Sequence, residues 1–301
     1  MSAAWFCDDS LIDHTRGLTM SKPYLTARRL SANRWLAISL LALGLVMSNI
    51  AAAKVVAEPV HVSQRLPHDA SAFTQGFLID EAGQWYESTG LYGHSTIRHV
   101  EPRTGQAITR RELKPRYFGE GLALVDDRLY QLTWKAGRVF VYDRDTLRHI
   151  ADFSYAGQGW GLARCGDALV MSDGSDTLTF RDPNTFEITE RLPVHRAGQT
   201  VDELNELEVI HGMIWANQWH TNRLLIIDPG SGDVVAVRDA TRLAAEQPDS
   251  ADVFNGIAYD RAADRVYVTG KQWAYVYALD AGASRIGVSA RTSQRCRMPA
   301  E

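Results

Sequence analysis

Cysteine is scarce in this 301-residue chain, with three in all, at positions 7, 165 and 296. So few exclude the disulfide framework that holds small secreted domains together. Cys165 falls in a strand-like run and reads as a buried, inert thiol. Cys296 falls in a polar tail, and no pattern supplies either with a base that would make it a nucleophile. The nine histidines show no metal-ligand spacing; His94, His99 and His220 are scattered over separate segments. Zinc-style hydrolysis is therefore disfavoured. The sequence has no Gly-x-Ser-x-Gly nucleophile turn and no phosphate-binding P-loop. Asp173 and Asp176 fall short of the spacing of a calcium-binding EF-hand loop and read as part of a turn between strands.

Long apolar runs are almost missing too. The single one, Trp35 to about Met47, follows a basic stretch (Lys22, Arg28, Arg29, Arg34) and precedes Ala51-Ala52-Ala53. That order is the order of a secretory signal over residues 20–53, with a small-residue cleavage site. The run is short for a membrane span, so a membrane anchor is the weaker alternative. The expectation is export to the periplasm or the medium, with no stable span after cleavage. The twin arginines point to a folded-export route, although their flanks match that signal poorly, and Met20 is a candidate start. Beyond residue 53, 27 basic side chains face 33 acidic ones, a net charge of −6. No basic block is left, so nucleic acid is not an expected partner.

What the chain does have is repetition. Five similar segments open at Gly76 (GFLID), Gly121 (GLALV), Gly161 (GLARC), Glu206 (ELEVI) and Gly256 (GIAYD), spaced by 45, 40, 45 and 50 residues. Each is followed by a second apolar run, for example Trp85-Tyr86-Glu87-Ser88 and Leu169-Val170-Met171-Ser172. Turns recur further on: Glu101-Pro102-Arg103-Thr104-Gly105, Asp143-Arg144-Asp145-Thr146, Asp182-Pro183-Asn184-Thr185 and Asp228-Pro229-Gly230-Ser231-Gly232. Asp followed by Pro suits a type I turn. A period of roughly 40–50 residues with several short strands per unit predicts an all-β, five-bladed β-propeller. The fifth unit shows three clear strands, so Pro59–Leu66 is expected to supply the missing outer strand and close the ring. Residues 54–281 would form the propeller, with a short helix within 241–250 and a mobile polar tail over 282–301.

In a propeller the starts of the inner strands converge on one channel mouth. The residues just before the five repeats are Gln75, Glu120, Trp160, Asn205 and Asn255, and the second strands end near Trp134, Asp173, Asn217, Trp219, Lys271 and Trp273. Taken singly, such amides often only close turns, tryptophans only pack, and Glu120 could be a solvated loop acid. Their common register is what argues for a shared site. A carboxylate among tryptophans would be partly desolvated, which raises its pKa and suits proton transfer.

With these segments aligned, the chain resembles the plant and bacterial β-propeller type of glutaminyl-peptide cyclotransferase (glutaminyl cyclase). The markers run from Phe73 to Trp273: FTQG (73–76), ESTGLYG (87–93), YFGEG (117–121), GWGLA (159–163), LNELE (204–208), WANQW (215–219), NGIAYD (255–260) and VTGKQW (268–273). The resemblance implies conversion of the N-terminal glutamine of peptides or proteins to pyroglutamate with release of ammonia, an intramolecular acyl transfer. It implies Glu120 as proton shuttle, with Gln75, Asn205 and Lys271 holding the amide oxygen and the amine. It also implies an aromatic box of Phe73, Phe118, Trp134, Trp160 and Trp219. No catalytic metal or other cofactor is implied; a structural cation in the channel is left open. Two rivals stand beside this reading. One is a calcium-dependent, lactonase-like propeller using Glu120, Asn205 and Asn255; the other is a periplasmic propeller that only binds peptides.

Overall fold

The computed structural model describes residues 55–280 and 294–296. The segment read as a secretory signal and most of the tail lie outside the described residues. Each of the five repeats becomes an antiparallel sheet whose strands follow sequence order from the centre outwards, except that the N-terminal segment supplies the outer strand of blade five and a parallel edge strand on blade four. The inner strands are Thr74–Ile79, Gly119–Val125, Leu162–Cys165, Leu204–Ile210 and Phe254–Asp260. Each touches the next, and the fifth returns to the first, so the ring closes. The fold is thus the five-bladed β-propeller read from the repeats.

Alternation along the strands builds the core. Phe77 and Ile79 face blade five, where they meet Ala258, Tyr267 and Val276. Leu78, between them, faces blade two and meets Leu122, Leu129 and Tyr142. Successive side chains of a strand point to opposite faces, so each blade contributes to two cores. Three further clusters fill the remaining boundaries between blades. Full burial of one such side chain stabilises by about 1.5–3 kcal/mol. The outermost strands, such as Ala107–Glu112, are largely exposed and polar.

Closure differs in detail from the expected single strand over 59–66. Val62–Pro67 pairs with Tyr275–Leu279 as the outer strand of blade five. Ala57–Pro59 instead runs parallel to Val234–Asp239 and adds a fifth strand to blade four. The segment therefore splits at Val60, whose N–H bonds the Asp239 carbonyl at 2.9 Å, and stitches two blades rather than one. The short helix appears at Thr241–Ala244.

The recurrent turns are wider than a bare type I turn. In each, the fifth residue's N–H bonds the first residue's carbonyl: Gly105 to Glu101, Leu147 to Asp143, Phe186 to Asp182 and Gly232 to Asp228. All four fifth residues have positive φ, between 53° and 79°. The first residue's N–H in turn bonds the sixth residue's carbonyl, Glu101 to Gln106 and Asp143 to Arg148 among them, so each hairpin encloses four residues, the last of them left-handed. Gly105 has no alternative there, because a Cβ would lie 2.5 Å from the His68 Cα. Leu147 and Phe186 accept the strain and bury their side chains.

The cysteines correct the sequence reading. Cys165 and Cys296 form a disulfide with Cα atoms 4.2 Å apart. Cys296 ends a 3-10 turn, Gln294–Cys296, and is buried in the core between blades three and four. Arg295 beside it stacks on the Phe180 ring at 3.8 Å. Cys165 is therefore buried but not a free thiol, and this part of the tail is docked rather than mobile. The pairing spans 131 residues, and nothing local in either cysteine's surroundings announces it.

Candidate active site

Four blades share one irregularity. The pairing of inner and second strands breaks between Thr74 and Gly76, Gly119 and Leu122, Leu204 and Leu207, and Phe254 and Ile257. Gln75, Glu120, Asn205 and Asn255 sit inside these breaks. A bulge leaves its residue outside the ladder and re-aims its side chain. The same four blades repeat a clasp: the N–H just beyond the second strand bonds the carbonyl two residues before the bulged one. Gly90 bonds Phe73, Trp134 bonds Phe118, Trp219 bonds Glu203 and Lys271 bonds Val253, at 2.8–3.0 Å. One repeated backbone device thus seats Trp134, Trp219 and Lys271 beside the bulged side chains.

Glycine opens four of the five repeats, and at Gly76, Gly121 and Gly161 the reason is that the next inner strand nearly touches. A Cβ on Gly76 would lie 2.5 Å from the Leu122 N, and one on Gly121 would lie 2.6 Å from the Leu162 N. Glu206 takes this place in blade four. Its carboxylate accepts N–H bonds from Phe77 (3.2 Å) and Ile257 (2.9 Å), tying blade four to blades one and five.

These strand starts enclose a cavity of about 250 Å³ lined by Phe73, Gln75, Phe118, Glu120, Trp134, Trp160, Asn205, Trp219 and Lys271. All nine site residues read from the sequence are brought together. Gln75, Glu120, Asn205 and Lys271 are buried, none more than 6 % exposed, and the aromatic rings are half-buried around them. Phe73 meets Phe118 edge-on at 6.1 Å, Phe118 meets Trp134 at 5.6 Å, and Trp160 meets Trp219 at 5.1 Å. The Trp134 indole N–H donates to Gln158 Oε1 at 2.6 Å, and Trp160 donates to the same oxygen at 3.4 Å. Gln158, absent from the sequence reading, therefore links two walls of the box.

Two charges share this apolar enclosure. Burial pushes the Glu120 carboxyl well above the usual range, and the Lys271 ammonium pulls it partly back. Burial lowers Lys271, while Glu120 and Asp252 raise it. Each is thus held nearer to neutrality than in water. Gln75 Nε2 donates to Glu120 Oε1 at 2.9 Å, and the Lys271 Nζ lies 5.1 Å from the centre of the Phe73 ring. Asn205 Oδ1 is buried without a hydrogen-bond partner, an acceptor left for something that enters the pocket.

Other residues named from the sequence have structural work. Trp273 stacks on Phe254 and donates to the Asp252 carbonyl. Asn217 accepts the Gly256 N–H at 3.0 Å, and Asp173 closes its own turn by accepting from Ser175. Asn255 does not line the cavity; its amide nitrogen donates to the Thr74 carbonyl and to Gln75. The calcium-site reading is therefore not favoured: of its three oxygen donors one lies outside the cavity, and Lys271 supplies a positive charge beside Glu120.

A supporting layer escaped the sequence reading. The Ser88 hydroxyl donates to the Glu120 carbonyl, and the Ser172 hydroxyl donates to the Asn205 carbonyl at 2.6 Å. Both serines are the fourth residue of the second apolar run in their repeat, and each supports the site residue of the next blade. The signal was present: that fourth position is polar in four of five repeats (Ser88, Ser172, Asn217, Thr269).

The comparisons agree with this geometry. The profile of the glutamine cyclotransferase family matches residues 36–281. A glutaminyl-peptide cyclotransferase of Arabidopsis thaliana is 39% identical over 225 residues, covering 73% of this chain and 70% of that protein. The crystal structure of Myxococcus xanthus glutaminyl cyclase superposes with a TM-score of 0.69 at 37% identity, covering 74% of this chain and 98% of the other. The chain belongs to the glutamine cyclotransferase family.

Proposed function

We propose that the pocket converts the N-terminal glutamine of peptide chains to pyroglutamate and releases ammonia, the substrate-level form of the glutaminyl cyclase activity that the chain shares with its family. The observation that carries this reading is one buried carboxyl, Glu120, set beside Gln75, Asn205 and Lys271 on the floor of an aromatic box. A cavity of about 250 Å³ is below the usual range for drug-sized ligands and suits a single residue.

The two reacting groups belong to that residue, so the box contributes mainly by holding the folded conformer. The α-amine nitrogen attacks the γ-amide carbon and a five-membered ring forms. Glu120 accepts the amine's proton and returns one to the amide nitrogen as the C–N bond breaks and ammonia leaves. The carbonyl oxygen gains negative charge at the tetrahedral stage. Lys271 is the cation on hand to meet it, and Asn205 offers its amide. Asn205 Oδ1, lacking a protein partner, suits the ammonium or amine hydrogens. This scheme has no covalent enzyme intermediate and routes no step through a metal.

The reading also includes export. The leader pattern supports it, and the Cys165–Cys296 disulfide is the kind of bond that persists in oxidising compartments.

The test is mass spectrometry of a Gln-initiated peptide and of the same peptide starting with Asn, with and without chelator. Loss of ammonia from the glutamine peptide alone, unchanged by chelator, is expected. Binding without mass loss would favour a peptide-docking propeller, and loss of turnover on chelation with recovery in calcium would favour a metal-dependent one.

A further inference from the structure

We propose that Asn255 is a positioning residue that fixes the direction of the hydrogen-bond chain reaching Glu120, and so decides which carboxyl oxygen handles the proton. The inference rests on Glu120 as the proton carrier.

The Thr74 backbone carbonyl can only accept. Asn255 presents an amide to it at 3.1 Å, so the atom facing Thr74 is the nitrogen. The same nitrogen lies 3.3 Å from the Gln75 side chain, so Gln75 must turn its oxygen toward Asn255. The other end of the Gln75 amide is then its nitrogen, 2.9 Å from Glu120 Oε1. One main-chain carbonyl thereby orders two amides in series. Asn255 is fully buried, its two N–H groups match these two acceptors, and the bulge between Phe254 and Ile257 turns it toward blade one.

The consequence lies at the carboxyl. Glu120 Oε1 always receives a hydrogen bond from Gln75, so a proton carried by Glu120 belongs on Oε2. That oxygen is left to take the proton from the amine and pass it to the leaving nitrogen. If the Gln75 amide were reversed, an acceptor would face Oε1 and draw the proton there, away from the substrate. Lys271 and Tyr155 are the other titratable groups coupled to Glu120, and neither fixes the amide direction.

The experiment compares N255D and N255A, each alone and in a Gln75→Ala background, in the full protein with a Gln-initiated peptide. Aspartate removes both donors and invites Gln75 to reverse. We expect Asn255→Asp to lower kcat by about 10- to 100-fold with KM changed less than about threefold. The acid limb of the pH profile should move to higher pH, since Glu120 loses a donor that favours its ionised form. Asn255→Ala should have a smaller effect and none further once Gln75 is alanine, because the two act as one unit. Additive losses in the double variant, or lower kcat with an unmoved pH profile, would overturn the proposal. If N255D does not fold, as judged by circular dichroism, the alanine cycle decides alone. Absence of turnover in the wild-type protein would instead overturn the cyclase reading itself.

Discussion

Gln75 of blade one donates to Glu120 of blade two at 2.9 Å, across the boundary between two inner strands. Forty-five residues apart in sequence, they meet because each occupies the same bulge in its own repeat. The acid is thus held by a neighbouring blade rather than by its own. Glu120→Gln keeps the shape but removes the proton carrier. It should reduce kcat by about 10²–10⁴-fold, the range of one general acid–base group, with circular dichroism unchanged. Near-normal turnover would take Glu120 out of the mechanism.

Lys271 bears on the pH dependence. Its charge pulls the Glu120 carboxyl down against the upward push of burial. Lys271→Met removes that pull, so Glu120 should rise further and the acid limb of the rate profile should shift to higher pH. The wild-type rate itself should climb as the substrate amine deprotonates, at about 7.7–8.0 for a free α-amine. Steady-state rates from acid to mildly alkaline pH check both. An acid limb that stays in place would mean that the ammonium acts on the substrate alone.

The lining of the pocket was legible in the sequence because propeller geometry turns equal register into proximity: positions before and after the repeated runs must meet at the channel mouth. Glu120, Trp134 and Lys271 could be placed at the mouth for that reason, whereas Phe73 and Phe118 were named only through the family resemblance. The bulges were not legible, because a register break shows only when two strands are paired. Nor was the role of Asn255, whose neighbours Thr74 and Gln75 lie about 180 residues away in sequence. The split of the segment after residue 56 between two blades also depends on where blade four ends, at Asp239. A turn motif that looks like a bare type I turn proves wider because Leu147 and Phe186 accept positive φ, which residue type alone would argue against.

Beneath the site, a buried charge network locks blade one to the closing seam. Glu87 takes hydrogen bonds from Arg98 (2.6 and 3.0 Å), Thr74 (2.6 Å) and His68 (3.1 Å); His68 also bonds the Trp273 carbonyl. Burial alone would raise Glu87, but Arg98 and His68 outweigh it and hold the carboxyl far below the usual range. Burial lowers His68, and Glu87 outweighs that in turn. The depressed acid stabilises fully above its unfolded value of about 4.3, and that contribution fades as pH falls toward its lower folded value. The raised His68 contributes fully below about 6.5, and that part is lost as pH rises through its folded value. Arg98→Met strands the carboxylate and should cost about 3–5 kcal/mol. Thermal midpoints against pH check this; a loss confined to a few tenths of a kcal/mol would make the network incidental.

The disulfide separates stability from catalysis. Cys165 ends its inner strand at Cys165 itself, while the site residue of that blade, Trp160, precedes the strand's first residue, Leu162; the bond therefore lies at the opposite end from the pocket. It closes a loop of 131 residues, and chain entropy alone assigns such a closure about 5 kcal/mol, with removal of native disulfides typically costing about 2–5 kcal/mol. Cys296→Ser should lower the unfolding midpoint accordingly while leaving kcat and KM at neutral pH within about twofold. Reductant should do the same to the wild-type protein and nothing further to the variant. The Gln294–Cys296 turn buries Cys296 against blades three and four, so part of its docking survives without the covalent bond. Denaturant melts of the wild type and Cys296→Ser, with and without reductant, therefore separate the covalent contribution from the packing one. A fall in kcat that tracks reduction would show instead that the clasp reaches through blade three to Trp160.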